Sequence, residues 1–383
     1  MKKKIAFIIW LPTPYRTLLL ERITNWDDIE LKVFYCGGSA PDREWNINPK
    51  DNKNFSEILS GTAINIPYIE KDMKINPSII SKLSKGNFDA IIVGGYVPLT
   101  MFFAIGWALI NNIPYIINSE TQLLNKRNTW KSLFKKLLLT PIIKKASAYL
   151  PTGKYAEKYL MYYGAKPEKI FYFPNSPDVD FFIKESDRWR KNKQELKNKM
   201  GIDKEFTILY IGRFVKVKGL FTLLKAFKTV KENFNNAALL LAGNGVLKKD
   251  LEEFILNNEI KDVCFPGFIQ PESLPKYYAC SDIFILPSFK EAWGVVVNEA
   301  MASGLPVVLS DKVGSRGDLL EEGENGFSFE SGNHEELAEI LKSMLSNPEK
   351  LTKMGKRSRE IIKEYDYSYC EKNLKKALKV VFS

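Results

Sequence analysis

The chain has 383 residues, 45% of them hydrophobic and 13% aromatic, which excludes a disordered chain and leaves room for two cores. Its formal charge of +11 favours an acidic partner, and since no stretch resembles an RNA- or DNA-binding module, an anionic membrane surface or a phosphorylated substrate is expected rather than nucleic acid. The cysteines, Cys36, Cys264, Cys280 and Cys370, stand far apart without a C-x-x-C pair, so neither a zinc cluster nor a redox pair is indicated, which fits a reducing cytosol.

The start, Met1 to Trp10, has the basic flank and apolar run of a signal peptide. The run passes into Pro12, Pro14 and Arg16 without a small-residue cleavage site, so Ile5 to Trp10 reads as a buried strand. A loop from Leu11 to Arg16 then leads into a helix beginning near Thr17. Leu31 to Cys36 is a second strand. Gly37 to Ile66, with Arg43 and Trp45, reads as an irregular insertion of the kind that contacts substrate, and Trp45 is either a sugar-stacking platform or an anchor for its own loop.

From Ala90 to Ser119 there is no charged residue. Gly94-Gly95, Pro98 and the turn Asn111-Asn112-Ile113-Pro114 divide this stretch into strand, helix and strand, each too short to span a bilayer. A buried βαβ unit is expected, its second strand, Tyr115 to Asn118, delivering Ser119 and Glu120 to the carboxyl edge of a sheet. In the segment from Thr129 to Lys145, Trp130, Leu133, Phe134, Leu137 and Leu138 recur at helical spacing while Lys131, Lys135 and Lys136 take another face. This is either a domain helix with a solvated lysine side or an interfacial helix on an anionic membrane. Ala148 to Pro151 is expected as a strand, Lys154 to Tyr163 as a helix and Ile170 to Phe173 as a strand. Asp178-Val179-Asp180 has the D-x-D form of a divalent-cation pair, and Asp187 to Lys199 reads as a charged helix.

Thr207 to Gly212 opens a second sheet. After it, Arg213 and Lys218 sit at a helix start, where cations oppose the helix dipole, so an anion should sit there. Leu239 to Gly245 ends in a glycine turn, Val263 to Gln270 is a strand and loop, and Leu274 to Cys280 a helix. Next, the apolar runs Ile283 to Leu286 and Pro306 to Leu309 flank a helix from Gly294 to Ser303. Glu291 should therefore lie in the loop beyond a strand's carboxyl end, where open α/β sheets bind ligands. Gly294 would let the backbone approach a ligand, and the amides of Val295 and Val296 suit an anionic group such as a diphosphate. Glu299 places a carboxylate on the apolar stripe of Val295 and Ala302. The plainer alternative is a helix-capping Glu291 and a solvated Glu299. Glu335 to Leu345 and Pro348 to Glu364 are helices, and His334, the chain's only histidine, is expected to be structural and exposed.

Glu291-Ala-Trp-Gly-Val-Val-Val-Asn-Glu299, followed by Ala300 to Val308, resembles the E-x7-E segment of the retaining glycosyltransferases of the GT-B fold, group 1 or family 4. Gly212 to Gly219 is similar to that family's G-R-x4-K-G element. The resemblance implies an α/β fold of two Rossmann-like domains with parallel sheets facing across a cleft. Residues 1–180 would bind the acceptor, 181–368 the nucleotide sugar, and a C-terminal helix over 369–383 would cross back to the first domain.

The resemblance also implies site residues. Gly212, Arg213 and Lys218 would hold the donor diphosphate, with Gly243, Trp293, Gly294, Val295 and Val296 beside it. The backbone of Phe268 and Ile269 would cup the base, Glu291 would contact the sugar and Glu299 the ribose. Relatives carry a glycine-rich loop after the first strand; prolines stand here instead, leaving Thr13, Tyr15 and Arg16 for donor phosphate or acceptor. Many relatives place a histidine where this chain has Ser119-Glu120, so Glu120 is expected to take over a polar contact, as a catalytic residue alongside Glu291. The D-x-D pair falls in the linker between domains, and neither metal nor other cofactor is expected. The implied reaction is transfer, with retention, from a nucleotide diphosphate sugar to a hydroxyl of a glycan or lipid-linked acceptor. It would serve cell-surface polysaccharide or glycolipid assembly, in the cytoplasm or peripherally at the inner membrane face. The alternatives are a nucleotide-sugar epimerase or hydrolase of the same shape, and a non-catalytic membrane-surface binding protein.

Overall fold

A computed structural model describes residues 2–38, 45, 55–66, 70–94, 99–123 and 129–383. Arg43, Gly95 and Pro98 lie outside the described residues, as do the side chains of Trp130 and Lys131. The chain divides into two compact units: Met1–Asn175 joined by Tyr367–Ser383, and Ser176–Asp366.

The first unit runs β1 (Lys3–Ile9), α1 (Pro14–Thr24), β2 (Ile29–Tyr35), β3 (Ser56–Ile58), β4 (Thr62–Ile66), β5 (Glu70–Ile75), α2 (Ser78–Gly86) and β6 (Ala90–Gly94). It continues through α3 (Leu99–Ile110), β7 (Tyr115–Ser119), α4 (Thr129–Lys145), β8 (Ala148–Pro151) and α5 (Lys154–Tyr162). Six strands form a parallel sheet in the order β3-β2-β1-β6-β7-β8, and β4 and β5 pair separately as an antiparallel ribbon. Along β1, Ala6 and Ile8 enter one core with residues of α2, α3, α4 and α5, while Ile5 and Phe7 enter the other with Leu19, Leu20 and Ile23 of α1. This two-residue alternation, apolar on both sides, is what a strand covered by helices on both faces requires.

The second unit runs α6 (Val179–Arg190), α7 (Lys193–Lys199), β9 (Phe206–Ile211), α8 (Leu220–Lys231), β10 (Ala237–Ala242), α9 (Lys248–Asn257), β11 (Val263–Gly267) and α10 (Leu274–Ala279). It continues with β12 (Ile283–Leu286), α11 (Val295–Ala302), β13 (Val307–Ser310), α12 (Arg316–Leu319), β14 (Gly326–Phe329), α13 (His334–Leu345) and α14 (Pro348–Lys363). Its strands form a second parallel sheet, β11-β10-β9-β12-β13-β14, over one continuous apolar core. The final helix, α15 (Tyr367–Phe382), belongs to the first unit, where Cys370, Leu374, Ala377 and Leu378 join the core of α1.

Several elements differ from the sequence expectation. Pro14 occupies the first helical position of α1, as its fixed φ and missing N–H allow, so Tyr15 and Arg16 lie in a helix rather than a loop. Residues 170–173 form no regular strand: Ile170 makes an isolated bridge to Tyr149, and Phe171 and Phe173 donate to the backbone of β8. The expected insertion contains β3 and β4, and Trp45 is half-buried.

The charged helix expected from Asp187 begins earlier, at Val179, because Asp178 caps it: its carboxylate accepts the Phe181 amide at 2.9 Å. One half of the D-x-D pair is thereby occupied by the backbone. His334 opens α13 and is half-buried rather than exposed, with Asn333 as the cap.

Helix α4 has the expected bounds, and of the two faces it is the apolar one that is exposed. Leu133, Phe134, Leu137 and Leu138 face outward, Phe134 with 71% and Leu137 with 69% of their surface exposed, while Leu139 and Ile143 are buried. The lysines lie on aromatic rings: Lys135 is 5.0 Å from the Tyr159 ring and Lys136 5.2 Å from Tyr162. Cation–π attraction and its apolar stem suit Lys135 to its half-buried place, while Lys136 stays exposed.

Candidate functional site

In the second unit the loops at the carboxyl ends of consecutive strands are stitched to one another by backbone hydrogen bonds. After β9, the Gly212 amide donates to Ala242 and the Phe214 amide to Asn244; after β10, the Gly243 amide donates to Gly267. The approach is close enough that a Cβ on Gly243 would lie 1.9 Å from the Gly212 carbonyl oxygen, so only glycine fits there. The buried Tyr210 hydroxyl donates to the Arg213 carbonyl at 2.9 Å and fixes the turn that carries the arginine. The loop after β12 is tied to the same edge by Phe289 N to Val217 O at 2.8 Å, and to the loop after β13 by Gly314 N to Glu291 O and Ser315 N to Trp293 O.

This stitching brings Lys218 and Glu291 together, 73 residues apart in the chain, as a direct ion pair. Glu291 is therefore not a helix cap. The N-cap of α11 is Gly294, at φ 88°, where a side chain would be strained and its Cβ would meet Leu286 at 2.9 Å. The first bonded amide of α11 is that of Val297, to Gly294; those of Val295 and Val296 have no acceptor among the described residues. A helix start with two open amides beside a lysine is a place for an anion.

Glu299 is not a solvated helix residue either. It is 7% exposed, and its Oε2 accepts the hydroxyl of the fully buried Tyr278, on α10, at 2.8 Å. Burial raises the Glu299 carboxyl to about 7, against the hydrogen bond from Tyr278, which lowers it. Burial, and next the charge of Glu299, hold the Tyr278 hydroxyl well above its ordinary range, so the tyrosine keeps its proton and acts as the donor.

Trp293 does not present its ring to a ligand. The indole is 2% exposed and donates to Asn298 Oδ1 at 3.0 Å, so its side chain belongs to the core that shapes the loop. Phe268 and Ile269, half-buried, follow directly on the end of β11.

At the carboxyl edge of the first sheet, Thr13 is the N-cap of α1, half-buried like Tyr15. Arg16 is buried: one terminal nitrogen donates to Asn175 Oδ1, the guanidinium lies 4.5 Å from the Phe173 ring, and Nη1 has no partner among the described residues. One terminal nitrogen is thus engaged inside the unit. Glu120 follows the buried Ser119 at the end of β7, exposed and capping no described helix; the burial that would favour proton abstraction is absent.

Sequence reasoning missed Tyr278 and Tyr210. Neither carries a local signal, because each acts on a residue brought to it by the fold. Among the described residues no group of three or more His, Cys, Asp or Glu could hold a metal ion, and no helix is long and apolar enough to cross a membrane.

Comparison with known proteins bears directly on this edge. Residues 192–361, which contain it, match the family described as glycosyl transferases group 1. The sulfoquinovosyl transferase SQD2 of Arabidopsis thaliana is 26% identical over 82% of this chain and 61% of its own length. The alpha-monoglucosyldiacylglycerol synthase of Streptococcus pneumoniae is 33% identical over 42% of this chain and 36% of its own. The chain thus spans less than two thirds of either relative. Among solved structures, Anabaena HepE in complex with UDP superposes with a TM-score of 0.77 over 99% of this chain and 100% of its own, at 17% identity. The shared fold is GT-B.

Proposed function

We propose that this chain, whose residues 192–361 belong to the group 1 glycosyl transferases, moves a sugar from a nucleotide diphosphate sugar to an acceptor hydroxyl with retention at the anomeric carbon. The observation that carries the reading is the Lys218–Glu291 pair on joined strand-end loops, beside the open amides of Val295 and Val296. Lys218, Arg213 and those amides hold the diphosphate and stabilise the charge it gains as it leaves, in place of a divalent cation. Glu291 contacts the sugar, Glu299 the ribose, and the backbone at Phe268 and Ile269 the base. Gly212, Gly243 and Gly294 keep the backbone near the ligand. Trp293 contributes by fixing the loop.

The first unit takes the acceptor. Glu120 orients the acceptor hydroxyl, and Thr13, Tyr15 and the free Nη1 of Arg16 supply polar contacts to acceptor or phosphate. Catalysis rests on orienting two substrates and on electrostatic stabilisation.

The acceptor is a glycan or lipid-linked intermediate of cell-surface polysaccharide or glycolipid assembly, met at an anionic membrane that the protein contacts peripherally from the cytoplasmic side. The exposed ridge of α4, within a stretch from Thr129 to Lys169 whose only acidic residues are Glu157 and Glu168, supports that contact. So does one relative, whose name describes a synthase of a glucosyldiacylglycerol.

The test is thermal stabilisation by a panel of UDP-, GDP- and ADP-sugars, followed by NMR of the product with the best donor. Stabilisation and an axial-to-axial outcome are expected for an α-linked donor. Stabilisation with donor isomerisation or hydrolysis in the presence of acceptor glycans would return the epimerase or hydrolase, and no stabilisation by any donor would return the non-catalytic binding protein.

A further inference from the structure

Glu299 is buried, and among the described residues no cation pairs with it. Its Oε2 is taken by Tyr278, while Oε1 has no donor among the described residues, and the residue keeps 7% of its exposure. A carboxylate so placed is poorly satisfied by the protein alone. Its remaining acceptor capacity suits a ligand that brings hydroxyl donors, above all two adjacent ones.

The Tyr278 side of the pair is rigid. Its ring is fully buried, edge-on to Phe182 at 5.9 Å and tilted against Phe284 at 6.1 Å between ring centres. Phe284 lies in β12, the strand that delivers Glu291, and Tyr278 lies on the helix that follows the Phe268–Ile269 loop. Its hydroxyl also lies 3.3 Å from the carbonyl oxygen of Val296, in the first turn of α11. One side chain thus references β12, the start of α11 and the Glu299 carboxylate to each other.

We propose that Tyr278 is a positioning residue that sets nucleotide specificity: by fixing the Glu299 carboxylate it aims Oε1 at the vicinal diol of the donor ribose, and so makes the site select ribonucleotides. The inference rests on the donor reading above. A tyrosine serving only to fill the core would leave ligand selectivity alone, whereas a tyrosine that aims a hydrogen-bond acceptor controls rejection of a ligand lacking the hydroxyls.

The experiment measures dissociation constants by calorimetry for the best binder among UDP, GDP and ADP, and for its 2′,3′-dideoxy counterpart, in the wild type and in Tyr278→Phe. The wild type is expected to favour the ribonucleotide by about tenfold or more. In Tyr278→Phe that preference should fall to about twofold or less, with binding of the dideoxy compound unchanged and the protein still folded. Glu299→Gln should lower the preference as well. If the Phe variant does not fold, Tyr278→Met, which keeps apolar bulk without the hydroxyl, is read the same way. A Tyr278 variant that keeps the wild-type preference, or weakens both ligands equally, overturns the proposal. A wild type that binds a nucleotide without preferring the diol overturns this inference alone, while a wild type that binds none of the three overturns the donor reading and this inference with it.

Discussion

Lys218 and Glu291 form an ion pair in which the lysine side chain keeps 13% and the glutamate 17% of its exposure, so the cation expected on a phosphate and the carboxylate expected on a sugar are partners before either ligand arrives. The pair fixes two loops from different strands against one another. It also partly neutralises the lysine, so an arriving diphosphate shares a cation that is already in place rather than ordering a mobile one.

Breaking the pair should therefore cost stability without ligand. Lys218→Met, Glu291→Gln and the double variant, compared by urea unfolding, should give a coupling of about 1–3 kcal/mol, between the values of exposed and fully buried pairs. A coupling near zero would mean that the contact does not hold the loops.

Turnover should respond more strongly than folding. Glu291→Gln and Arg213→Ala are each expected to lower transfer by about a hundredfold or more, roughly 3 kcal/mol of transition-state stabilisation, with melting temperatures within a few degrees of wild type. Steady-state rates with the best donor check this, and normal rates in both variants would remove these residues from the site.

Glu299 gives the folding equilibrium a pH dependence. Its carboxyl is raised above its ordinary value to about 7, so it supports the fold fully below its unfolded value, and that support is lost as pH rises through about 7. Glu299→Gln carries no charge to lose. Its stability relative to wild type should rise by about 3 kcal/mol at most between pH 5 and pH 8, measured by urea unfolding at each pH. A difference that is flat with pH would show that Glu299 ionises without cost.

Asp178→Ala should destabilise the protein by about 1 kcal/mol through loss of the α6 cap, by the same amount with and without EDTA. Calorimetric melting in both conditions is the measurement. A loss seen only with Mg²⁺ or Mn²⁺ present would point to a metal at Asp178 and Asp180. Transfer activity is likewise expected to persist in excess EDTA.

Vesicle flotation should separate the two faces of α4. Phe134→Glu and Leu137→Glu are each expected to reduce binding to anionic vesicles by about tenfold or more, since each removes a side chain worth about 1.5–3 kcal/mol on burial. Charge reversal of Lys135 and Lys136, which turns attraction into repulsion, and added salt, which screens it, should each weaken binding less. Unchanged binding in the ridge variants would make α4 an ordinary domain helix.

The sequence by itself determined what depends on neighbours along the chain. The apolar runs of β1 and on either side of α11 required buried strands, and the spacing from Glu291 to Glu299 required one carboxylate in a loop and one on a helix. Gly294 announced the tight entry between them. These features follow from backbone periodicity, steric limits on φ and the length of a βα connection, all of which are local.

The tertiary structure decided which groups face one another. Lys218 meets Glu291 and Tyr278 meets Glu299 only because parallel strands set their loops along one edge, and no local pattern encodes a partner 73 or 21 residues away. It also decided which stripe of α4 is buried, that of Leu139 and Ile143, between two orientations that periodicity leaves open. It turned Arg16 inward onto Asn175 and Trp293 onto Asn298. Burial and hydrogen bonding are settled by packing between distant segments, and there the role of each polar side chain was fixed.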